Sequence, residues 1–184
     1  PERPGLPNAP VYEHCAPYAS APRAEKFVQL RTTMARFGAQ WHWLSTLDDI
    51  AWLFNLRGAD VSYNPVFLAH ALIGMDRATL FVGAGKIDAA LTARLKLDGI
   101  EVADYAQALP ALAGLPPGGR ILIDPRRITL GTANAIAKGI ERVEQMNPTT
   151  LAKSQKNANE IDHWRQAMEQ DGAALCEFFA WLEG

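Results

Sequence analysis

The 184-residue sequence predicts an α/β fold: a mixed β-sheet flanked by α-helices, with one long helix closing the chain. Three observations lead there. Short apolar runs of strand length alternate with segments whose apolar residues recur every three or four positions, the pattern of strands interleaved with covering helices. Loops rich in Gly and Pro separate the two kinds of segment. The last stretch carries a continuous apolar stripe at helical spacing and is unlike anything before it.

The elements follow in order. Pro1, Pro4, Pro7 and Pro10 keep the first ten residues extended and out of any helix or central strand, so residues 1–21 read as a Pro-rich linker. Phe27, Leu30, Met34 and Phe37 form the apolar face of a helix over 22–38, stopped at Gly38. Trp41–Ser45 is a short strand. Thr46 precedes Asp49 by three residues, close to a capping box, and opens a short helix through Ile50, Trp52 and Leu53. Gly58 and Asn64-Pro65 bracket an irregular segment. Val66–Ile73 and Thr79–Val82 form a hairpin around Gly74-Met75-Asp76. Ile87–Leu97 is helical, Ile100–Val102 a strand and Tyr105–Leu112 a helix. Leu115-Pro116-Pro117-Gly118-Gly119 is a loop before the buried strand Arg120–Ile123. Thr129–Lys138 reads as a helix and Ile140–Val143 as a last strand. Ile161, Trp164, Met168, Leu175, Phe178 and Leu182 then line one face of a helix of about 24 residues, interrupted only by Gly172. Covering such a stripe is worth several kcal/mol at ~25 cal/mol per Å². It therefore either docks on the preceding domain or awaits a partner.

Composition bounds the function. An apolar share of 48% and a charged share of 21% suit a globular chain with a real core, of a size for one domain or one domain plus an appendage. A net charge of −2 with interspersed signs offers no basic face to nucleic acid or to an anionic membrane. No apolar run approaches the ~20 residues of a membrane span, and no signal peptide pattern opens the sequence. Cys15 and Cys176 lie far apart in unlike contexts, so a disulfide is not expected and the compartment reads as cytoplasmic. The absence of an initiating Met fits a fragment or a processed chain.

Few residues suggest chemistry. In Asn55-Leu56-Arg57-Gly58-Ala59-Asp60, Arg57 and Asp60 are the candidates for an anion or peptide-terminus contact. The competing reading is that they satisfy backbone groups and each other at a bend, with Gly58 supplying a backbone angle other residues resist, and this is the better one. His14, His42, His70 and His163 have no metal-ligand spacing, neither HExxH nor CxxC occurs, and Asp48-Asp49 alone cannot hold a divalent ion. His42 and His70 sit in strand-like runs and read as packed or hydrogen-bonded. His14-Cys15 are adjacent, a poor geometry for base and nucleophile. Gly83-Ala84-Gly85-Lys86 lacks phosphate-loop spacing and reads as a strand-to-helix turn. Ser45, Ser62 and Ser154 stand in no nucleophile elbow. No catalytic and no metal-binding residue is assigned.

Two dense stretches resemble a known family. Leu47-Asp48-Asp49-Ile50-Ala51-Trp52-Leu53-Phe54-Asn55-Leu56-Arg57-Gly58-Ala59-Asp60, followed by Asn64-Pro65-Val66-Phe67, is similar to the middle domain of the three-domain Xaa-Pro aminopeptidases. Asn157, Glu160 and Asp171–Glu183 resemble the opening helix of that family's catalytic domain. The likeness also takes in Pro1-Glu2-Arg3-Pro4, Glu25-Lys26, Leu30-Arg31 and Met34, whereas residues 86–150 match in pattern only. The resemblance implies a creatinase/prolidase N-terminal-like domain over 22–152 and the start of a "pita-bread" metallopeptidase domain over 153–184. It implies a parent enzyme that removes the residue before a proline, using two divalent ions, usually manganese, held by two Asp, one His and two Glu that cannot be placed in this chain. Its expected partners are its own catalytic domain, a peptide substrate and a second copy of the parent. The middle domain helps shape access to the active site, which makes Arg57 and Asp60 the substrate-access candidates. The alternative is a free-standing creatinase-like domain that binds peptides or a partner without catalysis.

Overall fold

The computed structural model describes residues 5–184, so Pro1-Glu2-Arg3-Pro4, part of both the linker reading and the resemblance, lies outside the described residues. The centre of the molecule is a six-stranded mixed sheet. Its strands are β2 (Trp41–Leu44), β4 (Ala69–Gly74), β5 (Ala78–Val82), β6 (Ile100–Asp104), β7 (Arg120–Ile123) and β8 (Glu141–Glu144), in the order β6-β5-β4-β2-β7-β8. β4 runs antiparallel to both β2 and β5, while β5/β6, β2/β7 and β7/β8 are parallel. The hairpin expected around Gly74–Asp76 closes with Gly74 N donating to Arg77 O at 2.8 Å.

Alternation along β2 divides the core. Leu44 points to one face, where α1 (Arg23–Arg36), α2 (Leu47–Leu53) and α3 (Ala89–Leu97) pack Phe27, Leu30, Met34, Ile50, Leu53 and Leu95 against Ile73 and Leu80. Trp43 points to the other, where α4 (Ala108–Ala113) and α5 (Leu130–Ala135) bring Leu112 and the following Ile136 onto Phe81, Ile121 and Ile123. Both faces are covered, which is why these strands read as apolar runs rather than as alternating ones. α1 ends where Gly38 takes a φ of +66°, a turn that a residue with a Cβ resists.

Several boundaries differ from the sequence reading, each for a local reason. Tyr12–Glu13 forms a strand, β1, antiparallel to β3 (Leu56–Arg57), so the second half of the Pro-rich segment is a structural member of the fold. β4 begins three residues later than expected, because Asp60 N and its carboxylate engage Val66 O and Leu68 N. β6 runs on to Asp104, whose side chain accepts from Ala106 N at 2.8 Å and starts a single 3-10 turn before α4. α5 stops at Ala135 as Ile136 turns extended and Ala137 N donates to Leu112 O. A helix absent from the sequence reading, α6 (Pro148–Ser154), follows β8 with Pro in its first turn.

The expected capping box at Thr46 does not form. Thr46 Oγ1 instead accepts from Asn147 Nδ2 at 3.0 Å, and the buried Asp49 accepts from Thr150 Oγ1 at 2.7 Å and pairs with Lys153. These groups fasten α6 to α2. The capping box that does form is Asn157/Glu160, at the start of α7 (Ala158–Glu183). α7 is 26 residues long and contains no buried residue. Its first turns touch the segment before α1: Ser20 Oγ donates to Asn157 Oδ1 at 3.1 Å, and Tyr18 lies between His14 and His163. Beyond His163 the stripe stands clear of the body, with Trp164, Met168, Leu175, Phe178 and Leu182 all exposed.

Candidate functional site around Asn55–Asp60

The bend after α2 is built on Asn55, which takes a left-handed φ of 51° and ends the helix. Asn tolerates that region better than other side chains with a Cβ. Its amide then works in both directions: Nδ2 donates to Ala21 O at 3.0 Å, and Oδ1 accepts from Lys26 Nζ at 2.6 Å. Lys26 also donates to Trp52 O at 2.9 Å and lies 4.3 Å over the Trp52 ring. Burial pushes this ammonium down to about 8, against the upward pull of Glu160.

Arg57 follows on β3. Its Nη1 donates to Ala51 O and Leu56 O, both at 2.9 Å, closing the end of α2. Burial holds its guanidinium below the usual arginine range. Gly58 does not have a positive φ. It is needed because a Cβ there would sit 2.7 Å from the Cβ of the buried Phe67, a close approach in place of the special backbone angle the sequence suggested. Asp60 turns away from Arg57 and pairs with Lys86, whose side chain is 2% exposed against 0% for the carboxylate. The same carboxylate accepts from Leu68 N at 2.6 Å. Arg57 and Asp60 thus satisfy backbone groups, as the structural reading of the bend had it, but not each other. Asp60 spends its charge on the lysine of the Gly83–Lys86 turn.

That turn fits its reading as a strand-to-helix connection. Lys86 O accepts from Val11 N at 2.8 Å and Lys86 Nζ reaches the Asp60 carboxylate, so the lysine clasps two loops together. Arg23 does similar work on the far side. It donates to Phe54 O at 2.6 Å and pairs with Glu13 and Asp98, joining β1, α2 and the end of α3. Sequence reasoning passed over Arg23 and Lys26, although their spacing with Phe27, Leu30 and Met34 puts them on the buried face of α1. A basic residue inside an apolar stripe was the available signal.

The remaining candidates are packed groups. His42 is fully buried on β2 with Nδ1 3.0 Å from Leu122 O, and burial pushes it down to about 4. His70 lies between the Trp43 and Tyr105 rings with Nδ1 3.0 Å from Ser45 Oγ. His14 is held low by burial and by the nearby Arg57 and Lys26 charges. It lines a cleft with Glu13, Cys15, Arg23, Asn55 and Asp98. Among the described residues no three His, Cys, Asp or Glu side chains gather as metal ligands would. Cys15 and Cys176 are both free and exposed.

A family model for the creatinase/prolidase N-terminal domain matches residues 2–160. The chain belongs to that family. This creatinase/prolidase N-terminal domain is 36% identical over 200 residues to a probable Xaa-Pro aminopeptidase P of Coprinopsis cinerea, an alignment covering 99% of the chain and 31% of the relative. It is also 36% identical over 161 residues to Xaa-Pro aminopeptidase 1 of Dictyostelium discoideum, covering 86% of the chain and 25% of the relative. The chain therefore spans less than a third of the length of these relatives. In fold it superposes on X-prolyl aminopeptidase of Caenorhabditis elegans with a TM-score of 0.88 at 23% identity, over 99% of this chain and 30% of that one. The domain's mixed sheet and flanking helices are those of that fold.

Proposed function

We propose that the chain is the non-catalytic creatinase-like domain of an Xaa-Pro aminopeptidase, joined to the opening helix of its metallopeptidase domain. The observation that carries this reading is the 36% identity to a probable Xaa-Pro aminopeptidase P over nearly the whole chain, α7 included. Hydrolysis of the bond before proline, and the two divalent ions, manganese by family resemblance, belong to the domain that α7 introduces. The parent acts as a dimer in the cytoplasm. No helix of the described residues is long and apolar enough to cross a membrane, and the C. elegans protein is described as a cytosolic enzyme with a di-nuclear active site.

In this reading the domain's part is positional. Arg57 and Asp60 act on substrate access by fixing the Asn55–Leu68 loop, Arg57 through the end of α2 and Asp60 through Lys86. A chimera tests the assignment: this chain replaces the matching segment of the C. elegans enzyme, and release of Arg from an Arg-Pro-Pro peptide is followed with manganese present. The expected rate lies within about tenfold of the parent enzyme. A folded chimera that retains its metals yet releases nothing would count against the reading.

A further inference from the structure

Among the described residues three cations are buried, and two of them meet a carboxylate. Arg23 pairs with Glu13 and Asp98, and Lys86 pairs with Asp60. Lys26 is the third, 5% exposed, and among the described residues no carboxylate lies within ion-pair distance of it. Its partners Trp52 O and Asn55 Oδ1 are neutral oxygens, and they take two of the three protons of the ammonium. Glu160 pulls on it through space, yet that carboxylate is held by Asn157 N at 3.1 Å. A buried charge with no counter-charge is costly.

Lys26 lines a cavity of about 40 Å³ between α1, α2 and α6. Leu30, Trp52, Pro148 and Ala152 give it apolar walls. Thr149, 1% exposed, also lines it and carries a hydroxyl that is buried without a hydrogen-bond partner. One ammonium proton and one hydroxyl proton are therefore left over on residues around a single space. Since ~10–15 Å³ suffices for one water, that space takes a guest of two or three heavy atoms. Its apolar walls strengthen a hydrogen bond to a charged guest relative to water. We propose that the cavity binds a small monovalent anion, chloride or the carboxylate group of a small acid, held by Lys26 Nζ and Thr149 Oγ1. The anion gives Lys26 the counter-charge that Arg23 and Lys86 find within the chain, and it ties α1 to α6. The site is walled by three helices of the domain itself and stands apart from the peptidase reading.

The Trp52 ring, 4.3 Å from the Lys26 ammonium, reports on the site. Its indole N–H signal, assigned with Trp52→Phe, is followed by NMR as sodium chloride or sodium acetate replaces sodium sulfate at constant ionic strength. Sulfate, with five heavy atoms, is too large for the space. The expected result is a saturable shift with at least one of the two anions, with a dissociation constant on the order of 1–10 mM. Saturation by chloride alone or by acetate alone identifies which anion the site takes. Thr149→Val removes only the hydroxyl and should raise that constant at least about fivefold, whereas Thr149→Ser keeps it within about twofold. Thr149→Val also deletes an unpaired buried group, so its melting temperature in sulfate is expected to hold or rise. Lys26→Met should abolish saturation, and if that variant fails to fold, the Val and Ser pair still decides. A shift that saturates with neither anion, as a cavity holding only water would give, would overturn the proposal. So would an affinity unchanged by Thr149→Val.

Discussion

Replacing Lys86 by Met is expected to cost about 3–5 kcal/mol, because it leaves the Asp60 carboxylate buried without its counter-charge. For a chain of this size that lowers the melting temperature by roughly 10 °C or more. The carboxylate keeps Leu68 N at 2.6 Å, a single hydrogen bond that does not replace a cation. Adding Asp60→Asn to Lys86→Met should recover part of the loss, since a neutral amide is cheaper to bury than a lone carboxylate. Urea unfolding of the two single variants and the double variant checks this as a cycle. A loss below about 1 kcal/mol for Lys86→Met would mean the pair is hydrated in solution and does not clasp the two loops.

Acid should destabilise the domain well above the carboxylate range, with His42 the main cause and His14 and His70, both also held low by burial, acting in the same direction. The His42 imidazole is neutral in the folded state until about pH 4 and titrates near 6.5 once unfolded. The unfolded chain therefore binds the proton first as pH falls, and stability declines between about 6.5 and 4. At about 1.4 kcal/mol per pH unit the loss from His42 is about 3 kcal/mol. Arg23 and Arg94 hold Glu13 low and Lys153 holds Asp48 low, although burial opposes both. Their stabilisation is lost only at lower pH, as each carboxylate protonates. Asn at position 42 keeps a donor for Leu122 O and cannot titrate. His42→Asn should reduce the slope of the stability profile between pH 6.5 and 4 to the part that His14 and His70 contribute, while leaving the steeper loss below it. An unchanged slope in that window would assign the acid sensitivity elsewhere.

What the sequence made legible was whatever depends on near neighbours. The stripe of Phe27, Leu30 and Met34 located α1, Gly38 its end, and the paired apolar runs the β4–β5 hairpin, because periodicity and turn chemistry act within a few residues. Contacts closed across the chain were not legible. Tyr12–Glu13 is too short and too near prolines to read as a strand, and becomes one only because Leu56–Arg57 lies alongside. α6 is a seven-residue helix fastened by Asp49 and Thr46, about a hundred positions away. Thr46 and Asp49 had the spacing of a cap, and that tertiary demand redirected both. At the candidate site the residues were found but their pairing was not. Arg57 and Asp60 are near in sequence, yet Asp60 prefers Lys86 across the fold, and the glycine between them answers to Phe67.

The central claim is that this chain holds a peptidase's companion domain without its catalytic centre. Incubation of the purified chain with manganese and an Arg-Pro-Pro peptide tests it most directly, with release of the N-terminal residue and retained metal measured together. The account predicts no release above a metal-only blank and no stoichiometric manganese after gel filtration. Turnover above that blank, with metal retained in proportion to protein, would contradict it.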